Sequence, residues 1–232
     1  MANSGKLIWH AQATIAALDE ELATFVADQL REALTRKGQA SLAVSGGRTP
    51  AGFLRKLANQ PLDWSHVTIT LVDERWVPAD HADSNARLVR ETLLQGPASS
   101  ARFIPLFNAA PSACEGQSIT EQQLARLNWP LDVIVLGMGD DGHTASLFPQ
   151  APELQSALDS TDHCLAMTPV TAPHARISLT RAAIVSARHL LLHICGTGKR
   201  ELLEKTLAGP APGLPIRQVI EAAPATHIFW AP

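Results

Sequence analysis

The feature that most constrains the fold of this chain is the alternation of short apolar runs with amphipathic helical stretches. In residues 18–34 the apolar side chains recur at helical spacing, and Gly38 is suited to ending that helix. Strands are predicted at 41–44, 67–72, 131–136, 189–195 and 225–230, and further helices at 53–57, 84–94 and 201–207. The stretches 97–111 and 209–215 are rich in Ala and Pro and are predicted to be loops. This alternation predicts an α/β fold with a mainly parallel, Rossmann-like, doubly wound sheet that helices cover on both faces.

Composition narrows the class of protein further. The 232 residues are 46% apolar and 18% charged, which is typical of a globular chain, and we expect a single domain over residues 1–232. The 19 Lys and Arg residues are outnumbered by 22 Asp and Glu residues, so the basic excess of a sequence-independent nucleic-acid binder is missing. We therefore expect a small-molecule substrate, with no nucleic-acid partner, and a monomer or weak homodimer.

The lack of a recognisable targeting segment and the spacing of the cysteines predict a cytoplasmic location. The first ten residues have no apolar core of a signal peptide, and no apolar run reaches the length of a membrane span. Cys114, Cys164 and Cys195 are far apart and odd in number, which argues against a disulfide framework and fits a reducing compartment. The sequence has no Tyr, so proton transfer by a phenol is excluded.

The loop after the first predicted strand has the features of an anion site, and it reads Ser45-Gly46-Gly47-Arg48-Thr49-Pro50. Its glycines permit a close backbone approach, and Arg48 adds a cationic fork. Thr49 is suited to the N-cap and Pro50 to the first position of the next helix, whose free N–H groups attract anions. A glycine turn that merely joins strand to helix is the alternative. The Gly-Lys-Ser/Thr of a Walker A loop is missing.

Charged residues follow the second strand at Asp73, Glu74 and Arg75. Three charges at the end of a buried strand are costly unless they are paired or functional. Asp73 and Arg75 point to the same side of an extended chain, so an internal ion pair is one interpretation and a functional site the other.

The loop after the third strand carries the best candidate for proton transfer. It contains the pattern G-x-G-x-x-G, but Asp140 and Asp141 would face a pyrophosphate with like charge, so we discount a dinucleotide site. His143 follows, and imidazole is the side chain best tuned for proton transfer near neutral pH. Asp141, two residues before it, is placed to orient the ring. Ser146 lacks the surroundings of a nucleophile elbow.

The fourth strand leads into Gly196-Thr197-Gly198-Lys199, ahead of the helix at 201–207. Lys199 suits a phosphate as a point charge, and an ordinary solvated lysine is the alternative. Two groups carry side chains that can bind a metal: Asp80, His81 and Asp83, and the Asp140–His143 segment. Neither group matches a known ligand spacing, so no metal is expected.

Together, these loops resemble the 6-phosphogluconolactonase family. The resemblance also includes Ser84-Asn85, Arg176-Ile177-Ser178-Leu179-Thr180 and the His143 loop as far as Pro149. Six segments in the same order span nearly the whole chain. Gln150 stands where the family more often has Gly, which we do not expect to affect the chemistry.

The resemblance implies hydrolysis of 6-phospho-D-glucono-1,5-lactone to 6-phospho-D-gluconate, with no cofactor. It places the substrate phosphate on Ser45, Gly46, Gly47, Arg48, Thr49 and Lys199, with Arg176 at the edge. It makes His143 the general base and Asp141 its orienting partner. Arg75 or loop N–H groups are expected to stabilise the oxyanion, and Asp73 to polarise the site or position Arg75.

Two other functions remain open. Glucosamine-6-phosphate deaminase shares the fold, but its His loop typically continues into Ala-Phe-Asn-Glu-Pro, whereas this chain reads Ala145-Ser146-Leu147-Phe148-Pro149 and lacks the Glu. A sensor that binds a sugar phosphate without turnover is the second alternative, and the presence of both His143 and Asp141 disfavours it.

Overall fold

The computed structural model describes residues 6–210 and 213–232, so part of the amino-terminal segment searched for a leader and part of the loop predicted at 209–215 lie outside the described residues. Ten strands are described: β1 (Lys6–Ala11), β2 (Ala40–Val44), β3 (Val67–Leu71), β4 (Asp73–Arg75), β5 (Arg102–Phe103), β6 (Val133–Leu136), β7 (Cys164–Met167), β8 (Arg176–Leu179), β9 (His189–Cys195) and β10 (Ala225–Ala231). The helices are α1 (Ile15–Lys37), α2 (Ala51–Ala58), α3 (Asn85–Thr92), α4 (Ala113–Leu124), α5 (Leu154–Asp159), α6 (Arg181–Val185), α7 (Thr197–Ala208) and α8 (Pro215–Ala222).

Seven strands form one parallel sheet in the order β1-β10-β9-β6-β2-β3-β5. Helices flank this sheet, which confirms the predicted α/β class. All side chains of β2 and β6 are buried, as expected for strands covered on both faces. The chain progresses outward from β2 to β3 and β5, and in the other direction from β6 to β9 and β10. A topological switch point therefore lies between β2 and β6, where open α/β sheets bind ligands.

Helix α1 shows how the sequence specifies one of the flanking elements. Thr14 caps its first turn by accepting the N–H of Ala17, and Gly38 ends it with a left-handed φ of 72°. Between these ends, Leu18, Leu22 and other apolar side chains on one face are buried. None of the helices among the described residues is long and apolar enough to cross a bilayer.

A second, antiparallel sheet was not predicted, and it shapes the site. Its strands lie in the order β4-β8-β7. β4 begins only two residues after β3, so the chain leaves the main sheet at Val72 and pairs with a segment about a hundred residues later. The segment 97–111, predicted as a loop, also contains a short 3-10 helix and β5.

Candidate active site

A cavity of about 510 Å³ opens at the carboxyl ends of β2, β6 and β9, which are adjacent in the sheet. All the predicted site residues except Asp141 line it. The sequence predicted these loops separately, and parallel pairing of their strands brings them to one edge.

His143 forms one wall of the cavity, and its ring is held on three sides. Its Nδ1 lies 2.5 Å from Oδ1 of Asp141, and the ring stacks on Phe148 with centroids 4.1 Å apart. A side chain at Gly139 would collide with the ring, since a Cβ there would lie 2.1 Å from Cε1 of His143. Glycine at 139 therefore makes room for the imidazole in this orientation.

Asp141 is positioned to act through His143. Burial raises the pKa of this carboxyl, but hydrogen bonds from the backbone N–H and ring of His143, together with the charge of that ring, outweigh burial and bring the pKa below its ordinary value. An ionised Asp141 accepts Nδ1–H and leaves Nε2 as the nitrogen that can take a proton.

The glycine loop after β2 forms the opposite part of the wall. Gly47 has a left-handed φ of 90°, which only glycine adopts readily. The predicted N-cap is wrong by one residue: helix α2 begins at Ala51, and Pro50 is its N-cap without a side-chain hydrogen bond. A carboxylate from α1 lies against this first turn, since a Cβ placed on Gly52 would lie 2.0 Å from Oδ2 of Asp19.

Arg75 and Arg176 bring two guanidinium groups to the same side of the cavity. They are directly paired across the antiparallel β4 and β8, so their side chains share one face. Arg176 is only 5% exposed, and the Nε atoms of both residues are buried without a hydrogen-bond partner among the described residues. Burial lowers the pKa of Arg176. The charge of Asp73 partly offsets this lowering, and the charge of Arg75 adds to it. Two like charges with unused donors indicate an anion site.

Two further cations complete this side of the site. Arg48 makes no hydrogen bond or ion pair with another residue in the described part of the chain, and it lines the cavity. Nζ of Lys199 contacts the carbonyl oxygen of Met138 and lies 3.2 Å from Oδ1 of Asp140. Helix α7 begins at Thr197, four residues before the predicted start, so Lys199 lies in its first turn.

Asp73 is buried, and its contacts differ from the internal ion pair that was one of the two interpretations of the sequence. Across the described residues it forms no ion pair with Arg75, whose Nη1 instead donates to the carbonyl oxygen of Asp83. Its Oδ2 accepts the hydroxyl of Ser146 at 2.6 Å, and its backbone oxygen accepts Nδ2 of Asn85 at 2.8 Å. Asp73 thus belongs to a buried network of hydrogen bonds at the cavity wall.

Several wall residues were missed as site residues by sequence reasoning: Asn85, Phe148, His174 and His193. Asn85 was noted only as the start of a helix. His174 has a left-handed φ of 67°, unusual for a residue other than glycine, and its Nε2 lies 3.0 Å from Oδ2 of Asp83. No local pattern indicated these contacts, since Asp83 and His174 are 91 residues apart.

The described residues contain one cluster with the groups of a metal site. His81, Asp83 and His174 place ligand atoms within 4.8 Å of one another. Asp80, considered from the sequence, is not part of it. A hydrogen bond from His174 lowers the pKa of Asp83, burial opposes this shift, and the charges of His81, His174 and Arg75 add to the lowering. Asp83 is the cluster's single carboxylate, and its Oδ2 lies 3.0 Å from Nε2 of His174 and 3.9 Å from Nδ1 of His81.

This fold and site define an α/β protein with a cavity lined by four cationic side chains and a His–Asp pair at the switch point of its sheet. Residues 13–230 match the family model described as glucosamine-6-phosphate isomerases/6-phosphogluconolactonase. The chain belongs to this family.

Relatives with similar sequences share nearly their whole length with the chain. A 6-phosphogluconolactonase of Pseudomonas aeruginosa is 47% identical, with 100% of this chain and 96% of that protein covered. One of Rhizobium meliloti is 46% identical, with 93% and 95% covered. The crystal structure of a 6-phosphogluconolactonase from Shewanella baltica has a TM-score of 0.96 at 42% identity, with 99% of each chain covered. A monomeric glucosamine-6-phosphate deaminase matches with a TM-score of 0.77 at 20% identity over 97% of each chain, which is a likeness of fold.

Proposed function

We propose that this chain hydrolyses 6-phospho-D-glucono-1,5-lactone to 6-phospho-D-gluconate. One observation carries the proposal: the His143–Asp141 contact of 2.5 Å lies in the wall of a cavity that also presents four cationic side chains. The relatives that share 42% to 47% identity over nearly their full length bear the name of this activity, which supports the same substrate.

The cations bind the phosphate of the substrate. A phosphate monoester carries close to two negative charges at neutral pH. Arg48, Arg176 and Lys199 supply opposite charge, and Arg176 has an Nε donor without a partner among the described residues. The backbone of the Ser45–Thr49 loop and the amino end of α2 add N–H donors. Binding the phosphate here places the lactone ring toward His143.

His143 acts as a general base on water. Nε2 takes a proton as the water oxygen attacks the lactone carbonyl carbon, and Asp141 stabilises the imidazolium that forms. The tetrahedral intermediate then collapses, the bond between the carbonyl carbon and the ring oxygen breaks, and that oxygen receives the proton from His143. General-base catalysis contributes about 10²- to 10⁴-fold. Arg75 or loop N–H groups stabilise the oxyanion.

We infer that one domain performs these steps, because the glycine loop and the His143 loop follow neighbouring strands of one sheet. A monomer is sufficient for this chemistry, and light scattering after size-exclusion chromatography measures whether a weak dimer forms.

The test is one panel of assays. Glucose-6-phosphate dehydrogenase generates the lactone in place, and its loss is followed against the spontaneous rate, with and without the protein. Ammonia release from glucosamine 6-phosphate is measured in parallel, because deamination is the rival reaction of the family. Accelerated lactone loss without ammonia is the expected result. Lactone loss at the spontaneous rate refutes the proposal, and binding of 6-phosphogluconate without turnover would indicate a sensor.

A further inference from the structure

Asn85 lies between the glycine loop and β4 and touches both. Its Nδ2 donates to the backbone oxygen of Asp73 at 2.8 Å. On the other side, a Cβ placed on Gly46 would lie 1.8 Å from Oδ1 of Asn85, so the loop backbone rests directly against this amide. The side chain is 2% exposed and has little room to move. Asn85 therefore fixes the spacing between the loop and the strand.

Ser146 makes the corresponding connection to the His143 loop. Its hydroxyl donates to Oδ2 of Asp73 at 2.6 Å, and its backbone N–H donates to the hydroxyl of Ser178 at 3.1 Å. Ser146 is completely buried and lies three residues after His143. Ala145, which directly precedes Ser146, has a left-handed φ of 49°. A non-glycine residue is held in this conformation only where its surroundings require it.

Asp73 connects these two contacts. Its carboxylate is buried and, within the described residues, is partnered by hydrogen-bond donors without a cation in ion-pair contact. A buried carboxylate is costly unless its hydrogen bonds are satisfied, so its donors are strongly held in place.

We propose that Asn85, Asp73 and Ser146 form a positioning unit that sets the place of His143 relative to the glycine loop. This inference rests on the proposed function, because the loop holds the phosphate and His143 acts on the carbonyl at the other end of the same substrate. Asn85 and Ser146 are positioning residues: they act through the loops they hold. Loss of either contact displaces one end of the substrate from the other, and a displacement of about 1 Å lowers a rate by about 10²-fold.

The experiment compares Asn85→Ala, Ser146→Ala and the double variant in the lactone assay. We expect each single variant to lower kcat by about 10- to 100-fold, with Kd for 6-phosphogluconate changed by less than about threefold. Because both changes break one unit, the double variant should fall little further than the worse single variant.

Two control variants separate positioning from general loss of stability. Ser41→Ala removes a buried serine that donates to a buried aspartate, Asp132, at 2.9 Å, outside the cavity. Asn108→Ala removes an amide that donates to the carbonyl oxygen of Gly116 at 2.9 Å, also outside the cavity. Both controls should keep kcat near that of the parent protein. If alanine at 85 prevents folding, Asn85→Asp keeps the size of the side chain and removes the donor to Asp73.

The outcomes distinguish the two proposals. If the parent protein does not accelerate lactone loss, the proposed function fails and the positioning unit fails with it. If the parent protein is active and the single effects multiply in the double variant, the positioning unit alone is refuted. An unchanged kcat in either folded single variant, or a loss equal to that of its control, refutes it as well.

Discussion

Gly46 and Gly47 are adjacent, and the structure predicts that alanine is harmful at each for a different reason. At Gly46 a Cβ needs about 3.4 Å to its neighbours and finds Oδ1 of Asn85 at 1.8 Å. The loop or the amide must then move by about 1.6 Å. Overpacking of this kind costs about 1–3 kcal/mol in the free energy of unfolding. A displacement of the phosphate loop by that distance should lower kcat/KM by about 10²-fold.

At Gly47 the same substitution meets open space. Among the described residues no neighbouring atom lies within 4 Å of a Cβ placed there, but the φ of 90° is strained for any residue with a side chain. The expected cost is about 1–2 kcal/mol, and it comes from the backbone alone. The two glycines therefore respond differently to a second change at Asn85.

The assay is urea unfolding of Gly46→Ala and Gly47→Ala, each made in the parent protein and in an Asn85→Ala background. Linear extrapolation gives the free energy of unfolding, and kcat/KM is measured on the same samples. Removing the amide should abolish most of the stability cost of Gly46→Ala and leave that of Gly47→Ala unchanged. An equal cost of Gly46→Ala in both backgrounds would show that the loop does not rest on Asn85, and the reasoning would be wrong.

Three further predictions follow from the site. His143→Ala should lower kcat by about 10²- to 10⁴-fold and change KM little, as measured by initial rates; an unchanged kcat would exclude the general base. Arg48→Ala and Lys199→Ala should mainly raise KM for the phosphorylated lactone, and an unchanged KM would remove that residue from the phosphate site. Burial lowers the pKa of His193 to about 4, whereas the unfolded residue binds a proton near pH 6.5. The free energy of unfolding should therefore fall as the pH drops from about 6.5 to about 4, and it should fall less steeply in His193→Gln. Urea unfolding of both proteins at pH 7 and pH 5 tests this. An equal pH dependence in the two proteins would contradict it.

The main sheet was largely predictable because its information is local. Runs such as residues 189–195 are apolar, are bounded by turn residues and pair with neighbours on both sides, so composition alone indicates buried strands. β4 and β8 lack that signal. β4 has three residues, all charged, and becomes a strand only because β8 lies beside it. A strand whose formation depends on a distant partner leaves little pattern in its own sequence.

The same distinction applies to the site. Loops that follow predicted strands were found, because parallel sheets collect such loops at one edge. Contacts between those loops were not found. Asn85 touches Gly46, and Asp73 binds Ser146 across 73 residues of sequence. Neither contact follows from spacing, and the ion pair between Asp73 and Arg75, one of two interpretations of the sequence, is not among the contacts of the described residues.

We propose that the antiparallel pair of Arg75 and Arg176 allows a chain with a net charge of −3 to bind an anion. Like charges directly opposite in a sheet destabilise it, and burial of Arg176 adds to that cost. The surrounding residues offset only part of it, since two Nε donors lack partners among the described residues. In the proposed reaction, the phosphate of the substrate supplies acceptors and charge to Arg176, and the oxyanion supplies them to Arg75. Under that proposal the strain of this pair is relieved most when the phosphorylated lactone is bound, so these contacts would favour it over a lactone without a phosphate.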